Sequence, residues 1–210
     1  MLLSETEKFL FVHIQKTAGT SLTQHLRTHL SNLDSVLRPH DPLLLAQRDL
    51  GINLDDYFKV AFVRNPFERL VSWYSMIMTH GVKLSKAERI AQPNYNKIWQ
   101  YVLTNSQNFD EFLIRCFDAE DRSGWKPFLY NQVDYLKNDK GVVSIDFIGR
   151  FETITQDSVE LCKRLNLKNT QIPHKNKSSH QHYRHYYNAK TRAIIEKRFA
   201  EDLDYFGYQF

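Results

Sequence analysis

A short segment near the start of the chain combines a lysine, three hydroxyl side chains and a glycine. Its residues are Lys16, Thr17, Ala18, Gly19, Thr20 and Ser21. Small side chains let backbone N–H groups come close to an anion, while the hydroxyls add donors and the lysine adds a mobile positive charge. Where such a segment lies between a strand and a helix, the unpaired N–H groups of the first helical turn point at the same place. The sequence therefore predicts a phosphate-binding turn.

A second polar turn, made of Arg64, Asn65 and Pro66, follows another buried apolar run. Asparagine caps helices well, and proline is favoured at the first helical position. Arg64 would be an ordinary surface arginine in most settings, and its position at the end of a strand makes it a candidate ligand. The pattern of strand, polar turn and helix thus occurs twice in the first third of the chain.

Apolar patterning predicts the elements around these turns. Continuous apolar runs predict buried strands at residues 9–14, 57–63 and 142–148. Helical spacing predicts a helix after each turn and further helices at residues 43–50, 108–117, 158–165 and 189–203. Parallel strands with helical crossovers bring both turns to the carboxyl edge of the sheet. We therefore predict an α/β fold, a P-loop-like parallel sheet flanked by helices, in a single domain over residues 1–210.

Composition narrows the function classes. An apolar fraction of 42% in 210 residues is typical of a globular protein. A net charge of +4 fits a small polyanionic ligand or an acidic acceptor, and it is too weak to indicate a nucleic-acid partner. Cys116 and Cys162, without a CxxC motif, fit buried thiols in a reducing compartment, with one disulfide as the alternative. No run approaches the ~18 apolar residues of a membrane span, so we predict a cytoplasmic protein.

Two longer motifs indicate a family. The first turn lacks GxxxxGK(S/T), because its lysine precedes the glycine, so it is not the usual loop of nucleoside triphosphatases. QKTAGTSL at residues 15–22 and VRNPFERLVSWY at residues 63–74 instead resemble the phosphate-binding motifs of the carbohydrate-type (family 2-like) sulfotransferases. Shorter similarities follow at DFIGRFE (146–152), PHKNKSSH (173–180) and DYFGY (204–208). The resemblance runs over nearly the whole chain.

This resemblance implies a donor and the residues that bind it. The family uses 3′-phosphoadenosine 5′-phosphosulfate (PAPS) as co-substrate and requires no metal. Lys16 would lie near the oxygen that bridges phosphate and sulfate, where charge builds up as the bond breaks. Backbone N–H groups of residues 17–20, with the hydroxyls of Thr20 and Ser21, would hold the 5′-phosphate.

The 3′-phosphate and the closing loop complete the implied donor site. Arg64 and Ser72 would bind the 3′-phosphate, the group that distinguishes PAPS from ATP. Lys177 and Ser179 lie in a segment similar to the family's loop that closes over the nucleotide, which makes them further candidate contacts.

The resemblance also implies a base for the acceptor hydroxyl. His40 lies between the two phosphate motifs, where related enzymes place a catalytic histidine, and an unperturbed pKa of about 6.5 suits proton removal at neutral pH. A loop histidine that only bonds to the backbone is the alternative. Some relatives use a glutamate, so Glu68 and Glu152 are further candidates. The acceptor would be a small molecule or, more specifically, a saccharide; neither its identity nor the oligomeric state can be read from the sequence.

Other functions remain open at this point. A P-loop-type ATP-dependent kinase is one, although the missing GK(S/T) argues against it. A non-catalytic module that binds polyanions or nucleic acid is another. His25 and His29 have the i,i+4 spacing of a metal pair, but no acidic or cysteine residue nearby forms an obvious third ligand, so we expect no metal site.

Overall fold

The computed structural model describes residues 1–81, 97–117, 127–168, 172 and 180–210. The chain divides into two compact units. Unit 1 comprises Met1–Asn65 and Asn131–Lys177, and unit 2 comprises Pro66–Tyr130 and Ser178–Phe210. The assignment of residues 1–210 to a single domain stays a prediction.

Unit 1 holds the sheet, and unit 2 is helical in its described part. The described strands are β1 (Leu2–Ser4), β2 (Phe9–Val12), β3 (Asp34–Ser35), β4 (Phe58–Val63) and β5 (Phe147–Arg150). The described α-helices are α1 (Gly19–His29), α2 (Leu43–Asp49), α3 (Pro66–Gly81), α4 (Lys97–Asn105), α5 (Phe109–Arg115), α6 (Ile154–Arg164), α7 (Ala189–Arg198) and α8 (Ala200–Phe206). Within these described helices, none has the length and apolar character needed to cross a membrane.

The sheet is mixed, which corrects the prediction of a parallel sheet. Its strand order is β3-β1-β2-β4-β5, with β2, β4 and β5 parallel. Strand β1 is antiparallel to both β2 and β3. The prediction missed these two strands because they have only three and two residues, too few to show a periodic pattern. An antiparallel pair also needs only a short connection, and residues 5–8 provide one.

The three parallel strands end at one edge of the sheet. Val12 is paired with Ala61, and Val63 is paired with Arg150. The first residues beyond β2, β4 and β5 are His13, Arg64 and Phe151. The two predicted turns therefore leave the sheet at the carboxyl edge, where parallel α/β sheets bind their ligands.

The core of unit 1 joins the parallel strands to helix α1. Phe11 of β2 and Phe62 of β4 are fully buried and lie in one cluster with Leu22 and Leu26 of α1. At Gly149 of β5, a Cβ would overlap the Phe62 ring. Glycine at this position therefore lets β5 pack closely beside β4.

Strand β5 begins at Phe147 rather than at residue 142, so the predicted third strand was misplaced. Val142 is 60% exposed and its carbonyl accepts a 2.8 Å hydrogen bond from the N–H of Asn138. Gly141 in the same turn has a φ of 72°. The apolar residues at 142 and 143 extended the predicted run, but they belong to a turn and its closing bridge to Lys137.

Unit 2 has an aromatic core. Helix α3 begins at Pro66, as predicted, and its Phe67 packs in one cluster with Phe112 of α5. The single helix predicted at residues 189–203 is instead two helices, α7 and α8, which meet at the fully buried Phe199.

Candidate functional site

The predicted phosphate-binding turn joins β2 to α1 through residues 13–18. Lys16 and Ala18 both have left-handed backbone conformations, with φ of 70° and 65°. When residues in the left-handed conformation alternate with residues in the right-handed one, successive backbone N–H groups point toward one concave face. This arrangement is called a nest, and it binds anions. Positive φ is uncommon for residues that carry a Cβ. The backbone of this turn therefore has the form expected of an anion site.

Thr17 and Gly19 hold the turn in shape. Thr17 is fully buried and its Oγ1 donates a 2.8 Å hydrogen bond to the carbonyl of Ile14. The Thr17 hydroxyl therefore bonds within the turn and stabilises it, whereas the sequence predicts it as a hydrogen-bond donor to phosphate. At Gly19 a Cβ would overlap the imidazole of His13. Glycine is needed here by packing against His13.

The first turn of helix α1 has the features of an anion-binding helix end. Its N-cap, Ala18, makes no side-chain capping hydrogen bond, and the first turn contains no acidic residue. The N–H groups of Ser21 and Leu22 both donate to the Ala18 carbonyl, at 3.0 and 3.2 Å. The positive end of the helix dipole, carried by the preceding N–H groups, is therefore available to an anion bound by the turn.

Arg64 brings the second motif against the first. It is 4% exposed, and its Nη1 donates a 3.2 Å hydrogen bond to the carbonyl of Lys16. The amide of Gln132 clamps the Arg64 backbone: its Oε1 accepts from the Arg64 N–H at 2.9 Å, and its Nε2 donates to the Arg64 carbonyl at 2.7 Å. The guanidinium carbon lies 3.7 Å from the centre of the Phe151 ring. Arg64 is thus held at its backbone, at Nη1 and on one face of its side chain.

The site carries two positive charges at close range. Burial, and then the positive charge of Arg64, lower the pKa of Lys16 to about 8. Like charges in a partly buried setting repel each other more strongly than they do in water. An anion bound at the turn would offset this repulsion and the cost of burying the ammonium group.

His40 is attached to the same turn. Its Nδ1 lies 2.9 Å from the carbonyl oxygen of His13. Because a carbonyl oxygen only accepts, Nδ1 carries a proton, and in the neutral ring Nε2 carries the lone pair. The rings of His13 and His40 meet edge to face with centres 4.5 Å apart. Burial and the neighbouring His40 lower the pKa of His13 to about 3, so His13 is neutral. The tautomer of His40 suits a base whose acting atom is Nε2, and that role stays a prediction.

The other predicted residues are Ser72, Glu152, Lys177 and Ser179. Ser72 is buried in α3, which belongs to unit 2, and its part in a 3′-phosphate site stays a prediction. Glu152 Oε1 accepts a 2.6 Å hydrogen bond from the N–H of Asn65, which is a structural use of a candidate base. Lys177 and Ser179 lie outside the described residues.

Among the described residues, no group of three histidine, cysteine, aspartate or glutamate side chains is placed to hold a metal ion. The Nε2 atom of His25 lies 3.4 Å from the sulfur of Cys162, and its ring centre lies 4.5 Å from that of His29. His25 is therefore part of the packing between α1 and α6, and His29 packs against His25. That the reaction needs no metal stays a prediction.

Three residues of the site were not found from the sequence. The sequence places His13 in a predicted buried strand, and Gln132 carries no signal, since a single glutamine in a variable stretch has no motif. Phe151 lies in DFIGRFE, which was noted for its similarity but given no role. Phe151 directly follows β5, as His13 follows β2 and Arg64 follows β4. Because the predicted strand ended at residue 148, this shared position could not be found from the sequence.

Lys16 and Arg64 thus lie together with the predicted phosphate-binding turn at the carboxyl edge of an α/β sheet. The chain belongs to the sulfotransferase family, whose family model matches residues 1–209. The resemblance identified from the two motifs is thereby confirmed, and the chain is a transferase of the class that moves sulfuryl groups. No curated protein matches the sequence.

Proposed function

We propose that the protein transfers a sulfuryl group from PAPS to an acceptor hydroxyl, and that the acceptor is a carbohydrate. The observation that carries the donor assignment is the meeting of Lys16 and Arg64 at one anion-binding turn, where the Arg64 Nη1 bonds to the Lys16 carbonyl. Two phosphate groups on one nucleotide need two cationic contacts. The lowered pKa of Lys16 supports this, because burial and the charge of Arg64 both disfavour its ammonium form, which a bound anion would favour.

Lys16 and the turn act on the 5′ end of the donor. When bound, the donor supplies a sulfuryl group attached to a phosphate leaving group. The N–H groups of residues 17–20 bind the 5′-phosphate, together with the hydroxyls of Thr20 and Ser21. The Lys16 ammonium neutralises the charge that develops on the bridging oxygen as the bond to sulfur breaks. Positioning and electrostatic stabilisation do most of the catalysis, as in phosphoryl transfer.

Arg64, with Ser72, recognises the 3′-phosphate. A guanidinium group offers several N–H donors in one plane, which match the oxygens of a phosphate. ATP and adenosine 5′-monophosphate (AMP) lack this phosphate, so these two residues separate PAPS from the commoner adenine nucleotides. Lys177 and Ser179 complete the nucleotide contacts.

His40 acts on the acceptor. Its Nε2 takes the proton of the acceptor hydroxyl while the oxygen forms its bond to sulfur, and adenosine 3′,5′-bisphosphate leaves with the electrons of the broken bond. The hydrogen bond from Nδ1 to the His13 carbonyl supports this role, because it fixes the tautomer and stabilises the protonated ring. We propose the cytoplasm as the location, supported by two cysteines that are both buried thiols.

The donor assignment is tested by thermal melting with nucleotides. A ligand at 100 times its Kd stabilises the fold by about 2.7 kcal/mol, which is roughly 5–10 °C for a chain of this size. We expect that shift with adenosine 3′,5′-bisphosphate and much smaller ones with ATP or AMP. Equal shifts for all three nucleotides would refute the donor assignment, and magnesium-dependent ATP turnover would favour a kinase instead.

Matched variants sharpen this test. Arg64→Ala should abolish the preference for the bisphosphate, and Lys16→Ala should weaken the binding of all three nucleotides. Lys163→Ala, which removes an equal charge from an exposed position, should retain both the preference and the affinity. The acceptor class is then found by transfer of labelled sulfate to a panel of saccharides, lipids and phenols. Transfer to phenols alone would overturn the carbohydrate assignment.

A further inference from the structure

We propose that Phe151 is a positioning residue whose ring holds the Arg64 guanidinium in plane and thereby sets the preference for nucleotides with a 3′-phosphate. The inference rests on the proposed function, in which Arg64 recognises that phosphate. It adds a residue that touches neither donor nor acceptor and acts through Arg64.

The contact between the two side chains is close. The guanidinium carbon of Arg64 lies 3.7 Å from the centre of the Phe151 ring, well inside the roughly 6 Å within which a cation is attracted to an aromatic face. Arg64 is buried and Phe151 is half-buried, so water screens the attraction weakly. Such a contact is stronger here than on an open surface.

The Phe151 ring is held independently of Arg64. The pairing of Val63 with Arg150 brings the next residues, Arg64 and Phe151, to the same level on adjacent parallel strands. The N–H of Phe151 donates a 2.8 Å hydrogen bond to the Val63 carbonyl, and the next residue, Glu152, accepts from Asn65 at 2.6 Å. The sheet therefore places the ring before any ligand binds.

The Phe151 ring constrains a part of Arg64 that its backbone contacts do not constrain, the plane of the guanidinium group. Gln132 binds the backbone N–H and carbonyl of Arg64 and so fixes where the side chain starts, while the bond from Nη1 to the Lys16 carbonyl holds one guanidinium nitrogen. A bond at one nitrogen leaves the plane of the group able to turn. A flat ring against one face fixes that plane. The N–H groups lie in the plane and so keep their directions toward an oxyanion. An aliphatic side chain of similar size fills the space without fixing the plane.

This role predicts a change in discrimination rather than a general loss of binding. The readout is the Kd for AMP divided by the Kd for adenosine 3′,5′-bisphosphate, both measured by calorimetry. In Phe151→Leu we expect this ratio to fall about tenfold, while the Kd for AMP stays within about twofold. Damage to the fold would raise the Kd of both nucleotides together and leave the ratio of the two Kd values unchanged.

A double-mutant cycle establishes whether Phe151 acts through Arg64. Arg64→Met alone should remove most of the discrimination, and adding Phe151→Leu to it should change the ratio no further. Phe151→Tyr keeps the aromatic face and should retain the parent ratio. If Phe151→Leu folds poorly, Phe151→Met replaces it with a side chain of similar volume.

Two results would overturn the proposal. One is a parent ratio retained in Phe151→Leu, or in its Met replacement. The other is a further fall when Phe151→Leu is added to Arg64→Met. Failure of the proposed function has a different signature, since the parent protein itself would then bind AMP and the bisphosphate equally well, and this proposal would fall with it.

Discussion

The lowered pKa of Lys16 predicts that the protein loses affinity for adenosine 3′,5′-bisphosphate as the pH rises above 8. The ammonium group has a pKa of about 8 in the folded protein instead of the ordinary 10.5, first because of burial and second because of Arg64. An anionic ligand stabilises the charged form and so raises this pKa again. Below pH 8 the lysine is already charged, whereas above pH 8 binding must also take up a proton.

The size of the effect follows from the two pKa values. The interval from about 8 to 10.5 corresponds to about 3 kcal/mol between the charged and neutral forms. If the ligand restores the ordinary value, the linkage relation gives a Kd about 30-fold weaker at pH 9.5 than at pH 7. The ligand's own phosphates contribute little to this slope, because their second pKa lies near 6.

The lowered pKa of Lys16 also makes the free energy of unfolding depend on pH. Above about pH 10.5 the amine is neutral in the folded and the unfolded chain alike, so the burial of Lys16 does not lower the free energy of unfolding. As the pH falls toward 8 the unfolded chain gains the proton first, so the free energy of unfolding decreases. Bound bisphosphate should remove this part of the pH dependence from melting curves.

Calorimetric titrations between pH 7 and 9.5, in buffers of different ionisation enthalpy, measure both the Kd and the protons taken up. Lys16→Arg keeps its charge throughout this range and should show a flat profile. Lys16→Met should bind weakly at every pH, also with a flat profile. A parent Kd that stays within twofold from pH 7 to 9.5 would refute the reasoning, and an unchanged slope in Lys16→Met would assign it to another group.

Two further predictions concern the turn and the base. Gly19→Ala should destabilise the fold by about 1–3 kcal/mol in urea melts, because its Cβ would overlap the His13 ring, while the exposed Thr20→Ala should change stability by less than about 0.5 kcal/mol. Equal stability of the two variants would contradict the packing argument. His40→Ala should lower kcat for sulfate transfer by about 10²- to 10⁴-fold and leave the bisphosphate Kd within twofold. Unchanged turnover would remove His40 as the base.

The parts of the fold that could be predicted are those with long, strongly patterned segments. Strand β4 is almost continuously buried and apolar, and Pro66 marks the start of α3, so both were located to within a residue. The short strands β1 and β3 could not be located, because two or three residues carry no period. The boundary of β5 was wrong because a turn contributed two apolar residues to the run.

The residues of the site also divide into those that could be predicted from the sequence and those that could not. Lys16 and Arg64 could be predicted because each follows a strand and carries its charge within a recognisable motif. The clamp by Gln132 could not, since it depends on a side chain 68 positions away in sequence that meets the backbone of Arg64. The hydroxyl of Thr17 was assigned outward from its type alone, whereas its burial and its bond to Ile14 turn it inward.

The site could be predicted although the antiparallel strands β1 and β3 were missed, and the topology of the sheet explains why. His13, Arg64 and Phe151 are each the first residue after a strand of the parallel group, and all three strands end at one edge. Strands β1 and β3 pair on the far side of β2, so the register that brings Arg64 level with Phe151 does not depend on them. A boundary error in β5 is more serious. A strand ending at residue 148 would put Phe151 two positions further into the loop, out of register with Arg64. In this fold the strand ends, more than the strand count, therefore determine which side chains meet.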